Sequence, residues 1–178
     1  IYRYGNEEIK KKYVAKLCSA EYLGGFGITE PDAGSDVMAM TSTAEDKGDH
    51  WLLNGSKTWI SNADVADVLI YYAYTDRDAG SKGLSAFVIE PKNFNGIKTT
   101  RLDKMGSFSS PTGEVFLDNT RVPKENLLGQ PGMGGIPDRM LKHGEPVRHI
   151  GNRFGYAKLQ LSDLSTGWVL PAMMAPVR

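Results

Sequence analysis

Gly25-Phe-Gly-Ile-Thr-Glu-Pro-Asp-Ala-Gly-Ser-Asp-Val-Met-Ala39 opens as an apolar run punctuated by glycine and turns abruptly polar at Thr29. Pro31 removes an amide donor and pushes Glu30 away from helical geometry. Asp32 and Asp36 fold back readily on local amides, and Gly34 permits a left-handed backbone. The stretch therefore predicts a strand ending in a rigid polar loop that presents the hydroxyls of Thr29 and Ser35. Such a loop suits the polar edge of a cofactor or a phosphate-bearing ligand, and the same chemistry also makes a merely well-capped turn. Glu30 and Asp36 form a candidate carboxylate pair for acid–base work. Their placement around Pro31 and Gly34 favours shaping the loop instead.

Downstream the pattern stays β. Thr41 to Glu45 and Trp51 to Leu53 read as a hairpin around Asp46-Lys-Gly-Asp49. Asn54-Gly55 predicts a second tight turn, because both central residues of such a turn take positive φ, and Ser56 to Ser61 would return from it. Val68 to Tyr74 is a near-continuous apolar run of strand length, expected to be buried on both faces. Leu84 to Glu90, Ile97 to Arg101 and Glu114 to Leu117 follow, separated by turn residues. The fold expected is mainly β, a closed or nearly closed antiparallel barrel or sandwich.

Upstream, Asn6 to Leu17 reads as a helix. Asn6 is its N-cap, Glu7 and Glu8 sit in the first turn, and lysines gather later, which matches the helix dipole. Ile9, Tyr13 and Leu17 form its apolar stripe, with a packing partner expected in a region preceding the chain. Ile1 leads straight into Tyr-Arg-Tyr-Gly-Asn, as though cut from a longer polypeptide. Beyond Gly129 the texture changes. Prolines at 137, 146, 171 and 176 interrupt any helix, and residues 130–178 are expected to be an irregular tail.

Lys+Arg and Asp+Glu balance at 21 each, which argues against a general nucleic-acid or polybasic membrane surface. No apolar run approaches the roughly 20 residues that span a bilayer. Cys18 is the single cysteine, so no intrachain disulfide forms, and a cytoplasmic or organelle-matrix setting fits better than secretion. His50, His143 and His149 have no metal spacing with Cys18, so no zinc site is expected. Gly24-Gly25-Phe26-Gly27 lacks the strand-to-helix context of a dinucleotide fold.

Gly27 through Ala39, with its Gly-Ile-Thr-Glu and Ala-Gly-Ser-Asp blocks, resembles the first signature of the flavin-dependent acyl-CoA dehydrogenases. Trp51-Leu-Leu-Asn-Gly-Ser-Lys-Thr-Trp-Ile-Ser-Asn62 is similar to the family's second characteristic stretch. Gly83 to Glu90 and Val115 to Pro123 continue the match in register. The opening Tyr4 to Leu17 resembles the last helix of the family's N-terminal domain. The resemblance divides the chain into the end of a helical domain (1–20), a middle β-barrel domain that binds flavin and acyl-CoA (21–129), and an unrecognised tail (130–178).

It further implies that Phe26, Ile28 and Thr29 line the pyrimidine side of FAD, through backbone groups and the Thr29 hydroxyl. Trp59 and the adjoining Ile60 would lie along the isoalloxazine, with the Trp59 ring packed on it and Ser61 near flavin N5. Ser35 would contact the CoA part of the thioester. Phe26 and Ser61 stand where many relatives have Tyr and Thr. The implied reaction is α,β-dehydrogenation of an acyl-CoA, with electrons leaving to an electron-transfer flavoprotein from a homotetramer in the bacterial cytoplasm or mitochondrial matrix. No catalytic base is assigned, because the family takes it from a C-terminal helical domain that residues 132–178 do not resemble. A reading-frame shift in the gene would account for that change, and a divergent tail is the other reading. An acyl-CoA oxidase of the same fold, or a non-catalytic β-barrel binding module, are the alternatives.

Overall fold

The computed structural model describes residues 1–128 and the backbone of residues 148–153, 156–160 and 166–169. The chain divides into two compact units, Ile1–Ile136 and Pro137–Arg178. In the first, helix α1 spans Glu7–Cys18, and the Asn6 side chain accepts the N–H of Ile9 at 2.9 Å as its cap. Ile9 and Tyr13 are buried with Val68, Ala86, Val88 and Leu128, and Leu17 packs against them. The partner of the helix stripe is therefore the outer face of this chain's own sheet, not a preceding region. Tyr13 also donates to Glu90, which pairs with Lys12 at 2.5 Å, so hydrogen bonding supplements the apolar contact.

Seven strands follow: β1 Gly24–Gly27, β2 Thr43–Asp46, β3 His50–Ser61, β4 Val68–Tyr74, β5 Leu84–Ile89, β6 Ile97–Arg101 and β7 Thr112–Pro123. They form one sheet in the order β1-β4-β2-β3-β7-β6, with β5 on β4. The sheet curls so that one face of β3, β4, β5 and β7 closes on a shared interior holding Leu53, Ile60, Leu69, Tyr71, Phe87, Ile89, Val115, Leu117 and Val122. β4 is buried on both faces, as its sequence requires, since Val68 faces the helix while Leu69, Tyr71 and Ala73 face the interior. The segment after β7 returns to β5: Leu127 bridges Phe87, and the Leu128 N–H donates to the Ala86 carbonyl at 2.8 Å. An edge strand covered in this way offers no free edge there for pairing with another chain.

Two features of the sheet differ from the sequence reading. β1 runs parallel to β4, pairing Gly24 with Val68 and Gly27 with Tyr71, whereas an antiparallel sheet was expected throughout. The intervening chain, which includes the β2–β3 hairpin, is long enough for the crossover a parallel pair demands. Asn54-Gly55 is not a turn. β3 runs straight through it, and the β3–β7 register slips between Leu53 and Gly55. Gly55 has φ +139, and a Cβ there would lie 2.2 Å from Ser42 Oγ. Asn54 Oδ1 meanwhile accepts the N–H of Asn119 at 2.7 Å, so sheet pairing has turned a turn signal into a bulge.

In the second unit, β8 Arg148–Arg153, β9 Tyr156–Gln160 and β10 Thr166–Val169 form an antiparallel sheet in the order β10-β9-β8. These strands lie where only an irregular tail was expected. They are short and broken by Gly151 and Gly167, so no periodicity announces them.

Close approach constrains the barrel at Gly113, where a Cβ would stand 1.9 Å from the Thr100 carbonyl oxygen of β6. Because that neighbour is backbone, the strand itself must shift. Gly113→Ala should lower stability by about 1–3 kcal/mol, read as a shifted urea midpoint at unchanged slope.

Candidate functional site

The outer face of the sheet carries a seam where β1 lies between β4 and the end of β3. Backbone proximity dictates glycine at position 25, since a Cβ there would meet Leu69 Cδ2 at 2.3 Å and the Ser61 carbonyl at 2.9 Å. Phe26, between two glycines, turns outward. It is 51% exposed and meets Tyr72 edge-on, with ring centroids 5.1 Å apart. Ile28 tucks its side chain against the small cluster of Ala33, Met40, Tyr74 and Leu84. Thr29 gives its carbonyl to the Thr58 N–H at 2.9 Å, which ties the end of β1 to β3.

β3 answers with a second bulge. Lys57 pairs with Val115 and Ile60 with Gly113, so Thr58 and Trp59 together oppose one residue of β7. The extra residue leaves Trp59 at φ +61, a conformation that a bulky side chain resists. Its indole points out of the sheet and is 65% exposed, while the next side chain, Ile60, is buried in the interior. Ser61 is exposed. Asn62, also at positive φ, donates its amide to the Gly24 carbonyl at 2.9 Å and locks the seam from the other end.

The structure thus brings Phe26, Thr29, Trp59 and Ser61 together along one seam. Ile28 and Ile60 adjoin it through their backbones. Ser35 lies apart, exposed on the loop, beside the short turn that Asp36 caps by accepting the Met38 N–H at 3.1 Å. The hydroxyls of Thr29, Ser35 and Ser61 have no hydrogen-bond partner among the described residues. Phe26 and Trp59 both present aromatic rings to solvent, at 51% and 65% exposure.

Beneath the seam lies a pair that sequence reasoning only half found. Glu30 is buried and accepts five hydrogen bonds: from Thr41 N and Oγ1 at 2.6 and 2.7 Å, Ser42 N and Oγ at 2.9 and 2.5 Å, and Lys57 Nζ at 2.8 Å. Burial pushes its carboxyl upward, but the donors led by Lys57 and Ser42 outweigh this and hold it at about 2. A carboxylate so saturated is a poor proton acceptor, and its role is to shape the loop. Lys57 is fully buried, its ammonium lowered by desolvation against the opposing pull of Glu30. It shares the inward parity of Leu53 along β3, and that was the available signal. Among the described residues no three His, Cys, Asp or Glu side chains group to hold a metal, and no helix is long and apolar enough to cross a membrane.

Residues 25–120 match the family model described as acyl-CoA dehydrogenase, middle domain. A glutaryl-CoA dehydrogenase of Desulfococcus multivorans is 79% identical over 134 residues, which cover 75% of this chain and 34% of that protein. Among solved structures, a glutaryl-coenzyme A dehydrogenase–glutaryl-CoA complex superposes with TM-score 0.73 at 79% identity, over 75% of this chain and 34% of that one. A structure described as the electron transferring flavoprotein of Acidaminococcus fermentans gives 0.71 at 45% identity, over 74% and 35%. A glutaryl-CoA dehydrogenase of Mycobacterium smegmatis in complex with FADH2 gives 0.69 at 36%, over 75% and 34%. The chain spans about a third of the length of the relatives it matches. With the family's middle-domain model matching more than half of this chain, on a curled sheet that carries this seam, the chain belongs to the acyl-CoA dehydrogenases.

Proposed function

We propose that residues 21–129 are the flavin- and thioester-binding middle domain of an FAD-dependent enzyme that dehydrogenates an acyl-CoA at its α and β carbons. Residues 1–20 end its N-terminal helical domain, and residues 130–178 stand where the family has its C-terminal helices. The observation that carries this reading is Trp59, a bulky residue held at positive φ with its ring in solvent, an arrangement that makes sense as a wall awaiting a flat ligand. Bound FAD supplies a hydride acceptor at N5. The protein's part is to hold and dry the ring: Phe26 and Trp59 give apolar surface, and the Ile28–Thr29 and Ile60–Ser61 backbones with the Thr29 and Ser61 hydroxyls satisfy the polar edge. Ser35, exposed on its loop, serves the CoA portion.

The 79% identity to a glutaryl-CoA dehydrogenase supports glutaryl-CoA as the acyl thioester of the whole protein. An electron-transfer flavoprotein is its proposed electron acceptor, the homotetramer its assembly, and the bacterial cytoplasm or mitochondrial matrix its setting. Glu30, buried and saturated by donors, does not take the α-proton, and the family resemblance implies that the base comes from the C-terminal helical domain. The chain by itself should therefore bind FAD, with quenching of Trp59 and flavin fluorescence on titration, and yield no enoyl-CoA from glutaryl-CoA. Absence of any FAD binding by the folded chain would overturn the flavin reading. Turnover by the chain alone would overturn the assignment of the base to another segment.

A further inference from the structure

We infer that the buried Lys57–Glu30 pair positions the seam, clamping the Thr29 end of β1 against the Trp59 bulge of β3. The inference rests on the flavin reading of that seam. Lys57 lies two residues before Trp59, and Glu30 directly follows Thr29. The Lys57 ammonium donates to Glu30 Oε1 at 2.8 Å and to the Ile28 carbonyl at 3.3 Å, so one group grips both neighbours of Thr29. Between them the Thr58 N–H closes on the Thr29 carbonyl at 2.9 Å. Met40 Sδ at 3.6 Å and the Tyr71 ring, centred 5.0 Å away, bound the remaining space around the ammonium.

Stability alone does not call for a lysine here. Glu30 keeps four donors from Thr41 and Ser42 without it, and a buried ion pair replaced as a whole by uncharged groups of similar volume is often as stable or more so. What the ammonium adds is reach past Glu30 to the Ile28 carbonyl, which fixes Thr29 from both sides. Neither charged group faces the outer seam, so both are positioning residues that act through Thr29 and Trp59. Small displacements of a site's backbone are enough to cost about a hundredfold in ligand-dependent function.

Lys57→Met in the 178-residue chain tests this by amide hydrogen exchange and FAD titration. The expected result is a lowered urea midpoint, since the Glu30 carboxylate loses its buried counter-charge, with exchange of the Thr58 amide accelerated about tenfold or more relative to the Leu69–Ile89 pairing, and an FAD Kd raised about tenfold. A folded variant with wild-type Thr58 protection overturns the inference. If Lys57→Met does not fold, Lys57→Met/Glu30→Gln, which removes both charges, is read the same way, and failure of both to fold makes the pair structural and overturns it. Should the wild-type chain bind no FAD, the flavin reading fails by itself. Thr58 exchange, which needs no ligand, still decides whether the pair clamps the seam.

Discussion

Replacing Trp59 with asparagine is expected to weaken FAD binding about ten- to a hundredfold while leaving the fold at least as stable as before. A flat ring stacked on an aromatic side chain contributes about 1–3 kcal/mol, and that contribution vanishes with the indole. The fold loses little, since the ring is 65% exposed and Ile60, not Trp59, fills the interior. It also gains something. At φ +61 a bulky side chain crowds its own backbone, whereas asparagine adopts this region readily, so relief of about 1 kcal/mol is expected. Flavin-fluorescence titration and urea unfolding of the two chains give both numbers. A binding module with no flavin would show no change in the first. A loss of more than about 1 kcal/mol in the second would mean that the indole holds the fold and is not kept for a ligand.

What the sequence made legible was local or was carried by blocks of matching residues. The bounds of α1 follow from the Asn6 cap and from Glu7 and Glu8 in its first turn, all within reach of the residues they act on. β4 announces itself because a strand buried on both faces has no polar positions to spare. The first two family-like blocks carry Phe26 and Thr29, on and just after β1, and then Trp59 and Ser61, on β3, and a Thr58–Thr29 hydrogen bond ties the two together. What stayed hidden was non-local. Nothing near Gly24 states that its partner is Val68, 44 residues on, in a parallel pairing. Asn54-Gly55 carries a turn's chemistry, and only its neighbours Ser42 and Asn119 decide that it becomes a bulge. Lys57 carries an inward parity with Leu53, but nothing near it states that Glu30, 27 residues earlier, is its partner. The short, Gly-interrupted segments between 148 and 169 hide three strands for the same reason, since short strands owe more to their partners than to their own residues.

Glu30→Gln should cost about 3–5 kcal/mol near neutral pH. The glutamine keeps the shape but leaves the Lys57 ammonium buried with no counter-charge. The pH dependence gives the test its sign. The folded carboxyl sits at about 2 against an ordinary 4.5, so its contribution, about 3 kcal/mol, is full above pH 4.5 and is lost as the pH falls toward 2. Wild-type stability should decline across that window, and the variant should lack that part of the decline. Lys57 works in the opposite direction. Burial lowers its ammonium below the usual value, so the unfolded chain binds the proton more tightly, and stability recovers as rising pH discharges the folded lysine. The deficit of Glu30→Gln should therefore shrink on the alkaline side and shrink again in strong acid, and be widest between. Urea unfolding from pH 2 to 10 traces both curves. Parallel curves across that range would mean that Glu30 and Lys57 do not depend on each other's charge, and the clamp would lose its electrostatic basis.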